Sequence, residues 1–499
     1  MTTQRQRQLG QTTLIVLVFS SVAMIMLSGF VVWAAYNLNA VFRDADQSQS
    51  FMSAEAGIEY YRWHLAHAQQ DYQDGTGHTG PYNHTFSDKD GNPLGTFSLN
   101  IAAPAVGSTV VTVDSTGSTT INPSISKIVE AKMAIPSFAK FAAVIGSDVR
   151  FGEGTELYGP IQSNGGIRMD GVAHNLVMSA LASYDDPDHT GPPEFGVHTH
   201  VPPVDPLPPS PVPNRPDVFM AGRKFPVAPV DFIGITQDLD TMRTQAKADG
   251  SYYASSSAQG YDIIFKTDNT YDIYKVTALA AAPTGCTNTQ NQTGWGTWSV
   301  GTETKIKNAH IPPHGVIFVE DNVWVSGQIN NARVTVASGR FPDKPSTHSS
   351  ITINHNLLYS HYDGSDIISL VAQQDINIGM VSDSTIRVDA ALMAQNGRVG
   401  RYYYNQSYQS YECTNYNKKG QCTQYGYVTR DACAPYHQRQ QITSYGMIGS
   451  DMRYGFAYTD GTGYITRIII YDANMLYGPP PDFPLTADYY TPIFWNEKK

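Results

Sequence analysis

Between Arg7 and Arg43 the chain carries no charged side chain. Within that stretch, Leu14 to Ala35 is apolar apart from Ser20, Ser21, Ser28 and Gly29. As a helix these residues span about 33 Å, enough to cross the hydrocarbon core of a bilayer. Arg5 and Arg7 sit on the side that stays cytoplasmic, because basic residues beside a span set its orientation. Everything after Arg43 is then exported. The rival reading is a cleavable secretory signal cut near Ala34-Ala35-Tyr36, but the apolar run exceeds the usual h-region of about 7–15 residues. An uncleaved membrane span with ends at Leu14 and Ala35 is therefore expected.

The chain has 499 residues, room for about two to three domains beyond the anchor. Charged residues make up only 15%, while 31 Tyr, 42 Gly and 30 Pro point to a loop-rich, mainly β, extracellular body. A net charge of −11 argues against a nucleic-acid partner, which needs clustered Lys and Arg to displace counterions. The four cysteines are too few for a disulfide scaffold of this size, and no C-x-x-C suggests zinc or thioredoxin chemistry. A bridge between Cys413 and Cys422, around the polar turn at 415–420, is the candidate disulfide; Cys286 stands apart and connectivity stays open.

The helical pattern continues past the span. Phe51, Ala54, Ile58, Tyr61 and Leu65 recur at steps of three and four, giving one apolar stripe on a helix running from about Thr13 to Gln69. Gly57 costs that helix about 1 kcal/mol relative to Ala; a close contact or simple tolerance would account for it. The leader ending in Gly10, followed by Gln11-Thr12-Thr13-Leu14-Ile15-Val16, resembles the start of a type IV pilin-like protein. Ser50-Phe51-Met52-Ser53-Ala54-Glu55-Ala56-Gly57 is similar to the signature of the PilX-type minor pilins. Gln11 and Ile15 stand where major pilins carry Phe and Glu, a departure that fits the PilX branch.

That resemblance implies cleavage by a prepilin peptidase between Gly10 and Gln11 and packing of the apolar helix among other pilin-like subunits; Glu55 and Gly57 are the candidate residues for a helix contact. It implies a single-pass membrane protein with a cytoplasmic N-terminus, in a pilus or at the cell surface, with an unspecified surface ligand. Segments 319–325 and 389–401 are similar to stretches of exported proteins of small-genome bacteria that pair such a helix with such a body; no enzymatic activity or cofactor comes with that likeness.

Beyond the helix, alternating runs such as Phe97–Ile101 and Val110–Val113 predict a small, pilin-like sheet packed on it. Asp88-Lys89-Asp90-Gly91-Asn92 reads as a hairpin turn rather than a calcium loop, since it lacks the bidentate Glu. Ile145-Gly146-Ser147-Asp148-Val149-Arg150-Phe151-Gly152 returns as Ile448-Gly449-Ser450-Asp451-Met452-Arg453-Tyr454-Gly455, identical at six of eight positions. Runs beginning near Val316, Val334, Ile351, Ile368 and Ile386 recur every 17–18 residues with period-two alternation. Stacked repeats of this kind predict a parallel β-helix, with an antiparallel sandwich as the alternative.

The expected organisation is a leader over 1–10, the helix over 11–70, a small β region over 71–140 and first solenoid strands over 141–186. A Pro-rich insertion with a helix follows over 187–250, then a solenoid body over 251–478 with a Cys/Tyr-rich insertion at 402–440, and an extended tail over 479–499. Thirteen prolines between Pro187 and Pro229 make the insertion extended. The β-helix raises a carbohydrate-active alternative. Asp148, Asp170, Asp375, Asp389 and Asp451, with Arg387, Arg398 and Arg401, read better as corner residues than as catalysts, and Asp185-Asp186 opens the Pro-rich stretch, a poor place for a rigid pair. His198-Thr199-His200 lacks an obvious third ligand and reads as an exposed loop, so no catalytic or metal site is predicted. The Tyr-rich run 402–436 is either adhesive or a disulfide-pinned cover.

Overall fold

The computed structural model describes the backbone of residues 3–105, 107–230, 232, 236–483, 485 and 489–498, and side chains from residue 12 onward apart from 233–238. Helix α1 spans Thr3–His67, about 98 Å at the usual rise. It ends where Asp71 gathers the chain: Tyr61 donates to the Asp71 carbonyl at 2.9 Å, and Asp71 Oδ2 lies 3.0 Å from His64 Nε2.

The chain divides into two units. The first holds α1 and an antiparallel meander of β1 (Tyr82–Ser87), β2 (Pro93–Ala102), β3 (Val111–Thr119) and β4 (Ser126–Ala134). The fifth strand comes from the far end of the chain: Thr491–Lys498 pairs antiparallel with β4. The segment expected as an extended tail thus completes this sheet, and Lys498 bonds Asp114 at 2.7 Å and Glu130 at 2.6 Å across it. Strand β3 alternates strictly, with Val111, Val113, Ser115, Gly117 and Thr119 turned toward the helix side. Ala54, Ile58, Tyr61 and Leu65 of α1 are buried with Phe97, Leu99, Val129 and Met133 of the sheet. The Asp88 turn is a hairpin turn, its carboxylate accepting from the backbone N–H of Asp90 and Asn92.

The second unit, 105–109 with 136–487, is a stack of parallel coils. One face runs from Tyr252–Tyr253 through Val316–Val319, Arg333–Ser338, Ile367–Ala372, Thr385–Ala394 and Gln438–Ser450, each hydrogen-bonded in parallel to the next. From there it continues onto Ala143–Ile145, Ile161–Ser163, Val177–Ser179 and Arg223–Lys224. The coils nearest the helix in sequence therefore stack on those formed last. Parallel rungs of this kind are foreign to an antiparallel sandwich. The two copies of the I-G-S-D repeat lie on adjacent coils, with Ser450 paired to Ile145 and the Phe151 and Tyr454 rings 5.6 Å apart. Val316, Val334, Ile351, Ile368 and Ile386, the periodic positions, are all buried in the tube.

One expectation is corrected. The Pro-rich stretch is not simply an insertion: Val197–His198 pairs in parallel with Ile167–Met169, and Arg223–Lys224 with Val177–Ser179. Both rungs fall on proline-free dipeptides, so every ladder N–H is available, and the extended backbone that proline imposes on its neighbours suits a rung. Helix α2 (Thr236–Asp249) follows, and Gly250 takes φ +73° just past its end.

Candidate functional site

The two halves of α1 have opposite surroundings. From Leu14 to Phe42 every large apolar side chain is exposed, from 42% at Val22 to 76% at Tyr36. The 12–67 stretch contains a window long and apolar enough to cross a membrane. Gly10 and Gln11 lie on the helix backbone, but the Gln11 side chain falls outside the described residues.

The second half packs through a seam of small residues. A Cβ on Gly57 would lie 2.2 Å from Ser115 Oγ and 2.8 Å from the Phe97 ring, and one on Gly117 would lie 2.2 Å from the Ser50 carbonyl oxygen. Helix and sheet approach so closely only because both carry small residues there, which gives the Gly57 position its reason. Ser50 Oγ donates to the Ile125 carbonyl at 2.8 Å, tying α1 to the β3–β4 turn. Glu55 is half-buried and makes no hydrogen bond or ion pair among the described residues.

All four cysteines are bridged, Cys413 to Cys422 and Cys286 to Cys433. The second pair, 147 residues apart, sits with Met380, Tyr402 and Tyr404 in a small apolar cluster. Trp295 Nε1 donates to the Tyr403 carbonyl at 3.0 Å, and Tyr404 donates its hydroxyl to Gly296 O at 2.7 Å. Beyond this base an antiparallel hairpin, Ser407–Tyr416 with Cys422–Asp431, exposes Tyr408, Tyr411, Tyr416, Tyr425 and Tyr427. The Tyr-rich run is therefore a pinned cover at its base and an exposed aromatic hairpin at its tip.

Four of the carboxylates weighed as catalysts, Asp148, Asp170, Asp375 and Asp389, are engaged in hydrogen bonds or ion pairs within the stack. Asp148 accepts the Gly166 N–H at 2.6 Å, and Asp375 accepts the Arg398 N–H at 2.9 Å. Asp389, fully buried, accepts from Arg387 Nε and the Tyr362 hydroxyl, each at 2.7 Å, and from the Tyr359 N–H. Asp170 pairs with Arg150 and Arg168. Burial pushes Asp375, Asp389 and Asp451 above the usual carboxylate range. Arg401 is fully buried and donates to the carbonyls of Gly379, Met380 and Tyr436 and to Ser382 Oγ.

The histidine pair departs most from expectation. His198 is not in an exposed loop but fully buried on a rung, beside Arg168 of the neighbouring coil. The hairpin Ser183–Tyr184 with Glu194–Phe195 covers it, and the Tyr184 ring occupies the space a side chain at Gly166 would need. Glu194 is 5% exposed; its Oε2 lies 2.8 Å from His198 Nε2, and its Oε1 lies 2.8 Å from His200 Nε2 and 3.1 Å from His189 Nδ1. Asp186, also buried, has Oδ2 3.5 Å from His198 Nε2 and 3.3 Å from Arg168 Nη1. Burial lowers the His198 pKa against the pull of both carboxylates.

No family model and no curated protein matches the chain. One similar solved structure is the competence-associated pilin ComZ from Thermus thermophilus, at 12% identity and a TM-score of 0.30, covering 91% of this chain and 98% of that one. A likeness of that degree carries no weight for fold or function.

What the sequence reading missed is the third and fourth partners of the histidine pair. Asp186 is separated from it by the Gly- and Pro-containing stretch 187–193, which hides the covering hairpin, and the two-residue rung Val197–His198 is too short to show a period.

Proposed function

We propose that the chain is a non-enzymatic, pilin-like subunit of the PilX kind, anchored by α1 and contributing to the assembly or surface of a type IV pilus or related filament. The observation that carries this reading is the exposed apolar half of α1. A continuous surface of large aliphatic and aromatic side chains from Leu14 to Phe42 far exceeds the apolar patch a soluble monomer tolerates, so lipid or neighbouring helices must cover it. The resemblance of residues 10–16 and 50–57 to pilin-like starts points to both coverings in turn, lipid before assembly and sister helices after it. Four cysteines in two bridges suit an oxidising, exported setting. Carboxylates and arginines committed to inter-coil hydrogen bonds support a structural body.

The test is N-terminal mass spectrometry on filaments sheared from cells and, separately, on membranes. A mature chain beginning at Gln11 in the sheared fraction, lost in Gly10→Leu, is expected. Intact N-termini confined to the membrane would overturn the filament role. That outcome would leave an anchored surface adhesin, a second reading favoured by the exposed tyrosines of the 407–431 hairpin, since Tyr supplies contact area at low entropic cost.

A further inference from the structure

The cluster around Glu194 is built in a way that hydrogen bonding among its members does not explain. His198 Nε2 is buried and makes no hydrogen bond, although Glu194 Oε2 is only 2.8 Å away. The oxygen lies off the ring nitrogen's axis, so distance alone does not make a bond. On the other side of the ring, Nδ1 lies 3.3 Å from the Phe195 carbonyl oxygen. A carbonyl only accepts, so Nδ1 donates to it, and in the neutral ring Nε2 then presents a lone pair. That lone pair faces two carboxylate oxygens, Glu194 Oε2 and Asp186 Oδ2. A lone pair against two anions, away from water, is relieved only by a cation at Nε2, either a proton or a metal ion.

Other features fit a cation. One ligand atom each from Asp186, His198 and His200 falls within a 4.8 Å span, as does one each from His189, Glu194 and His200. Donors bound at about 2.0–2.1 Å in a tetrahedral shell stand roughly 3.3 Å apart, so the two triads, which share His200, must draw together to close one shell. Glu194 has no Lys or Arg partner among the described residues; its ion-pair contacts are the three imidazoles. Asp186 shares Oδ2 with Arg168, whose shorter bond is to Asp170 at 2.8 Å, so Arg168 neutralises it only in part. Outer contacts hold the ligands in place: Asp170 Oδ1 accepts the His200 N–H at 3.0 Å, and Asp186 Oδ1 accepts the Asp188 N–H at 3.0 Å.

We infer that His198, His200, Glu194 and Asp186 bind one divalent transition-metal ion of the zinc type, with His189 at the rim. Imidazole with carboxylate suits zinc and its neighbours in the first transition row, while calcium and magnesium prefer all-oxygen shells. The ion joins residues of the covering hairpin to a rung of the stack, so it clamps the Gly/Pro-rich segment 187–193 onto the coils. Its binding free energy is then folding free energy for that end of the unit.

The test uses the full-length chain in detergent, purified without a histidine tag, stripped with chelator and dialysed against Zn2+. Mass spectrometry of elements is expected to find one zinc per chain, and Co2+ in its place to give the visible absorption of a four- or five-coordinate site. Two substitutions near the rim, His200→Gln and Glu194→Gln, are each expected to weaken Zn2+ binding at least about 10-fold. His355→Gln, at an exposed histidine outside the cluster, is expected to leave it unchanged. Zinc is also expected to protect the 187–193 segment from protease in the wild type. Should stripped wild-type protein take up no Zn2+ or Co2+ at micromolar free metal, the site does not exist. Retention of wild-type affinity by both variants would likewise overturn it. Neither outcome depends on His198→Gln, which removes a fully buried ring and would compromise folding.

Discussion

A single missing methyl decides how closely α1 can lie on its sheet. By helix propensity alone, Gly57→Ala should stabilise α1 by about 1 kcal/mol. The opposite is expected, a loss of about 1–3 kcal/mol, because the new Cβ would lie 2.2 Å from Ser115 Oγ. Thermal melts of the substituted chain check this, and adding Ser115→Gly should restore part of the loss; a stabilised Gly57→Ala would refute the close-packing account. A second residue-scale expectation concerns Asp262. Burial and the neighbouring Glu303 carboxylate push its pKa up to about 8. The folded state thus holds a proton that the unfolded chain releases near pH 4. The stabilisation is complete below about pH 4 and disappears as pH rises through about 8. Melts across that window should show falling stability in the wild type and a flatter profile in Asp262→Asn. Gly57 was visible in the sequence as an anomaly, but its cause was not, because Ser115 and Phe97 are far along the chain. The carboxyl pair left no trace, since nothing in the sequence brings residue 303 to residue 262.

At the scale of elements, legibility follows how local the determining pattern is. The end of helix α1 was readable to within two residues, since its apolar run and its three–four stripe are both properties of consecutive residues. The helix starts at Thr3, ten residues before the expected Thr13, because the polar leader carries no apolar period to mark it. The 17–18-residue period from Val316 to Ile386 likewise exposed the coils, because each coil repeats the same in–out alternation. Partners that come from elsewhere stayed hidden: the rung at His198, its carboxylate cover, and the bridge from Cys286 to Cys433. That bridge spans 147 residues and the other only nine. Removing the long one with Cys286→Ser and Cys433→Ser is expected to cost about 2–5 kcal/mol, more than Cys413→Ser with Cys422→Ser. The short bridge constrains only its own hairpin, so its loss should appear as faster proteolysis between 407 and 431 with the main melting transition little moved. Equal effects on that transition would contradict this division.

For the molecule as a whole, the order of stacking differs from the order of the chain. Coils at 143–179 rest on rungs from 438–471, and β4 pairs with 491–498. The I-G-S-D repeat announced stacked coils but not that its two copies are neighbours, and nothing local announced the second pairing. Pairings of such separation are slow to form, because loop closure must be completed before any contact is gained. A chain ending at residue 437 is expected to lose the 143–179 coils as well as its own missing ones, which hydrogen exchange on those strands would reveal as unprotected amides. Protection retained there would mean that the early coils stand alone. The pairing of β4 with 491–498 carries a consequence for the life of the protein in a cell. The ribosome delivers residues 82–134 long before the strand that finishes their sheet, so a prematurely terminated copy keeps a bare strand edge open to proteases and to aggregation. Only chains translated as far as residues 491–498 can close it, so completion of this sheet waits on synthesis of a strand more than 350 residues downstream.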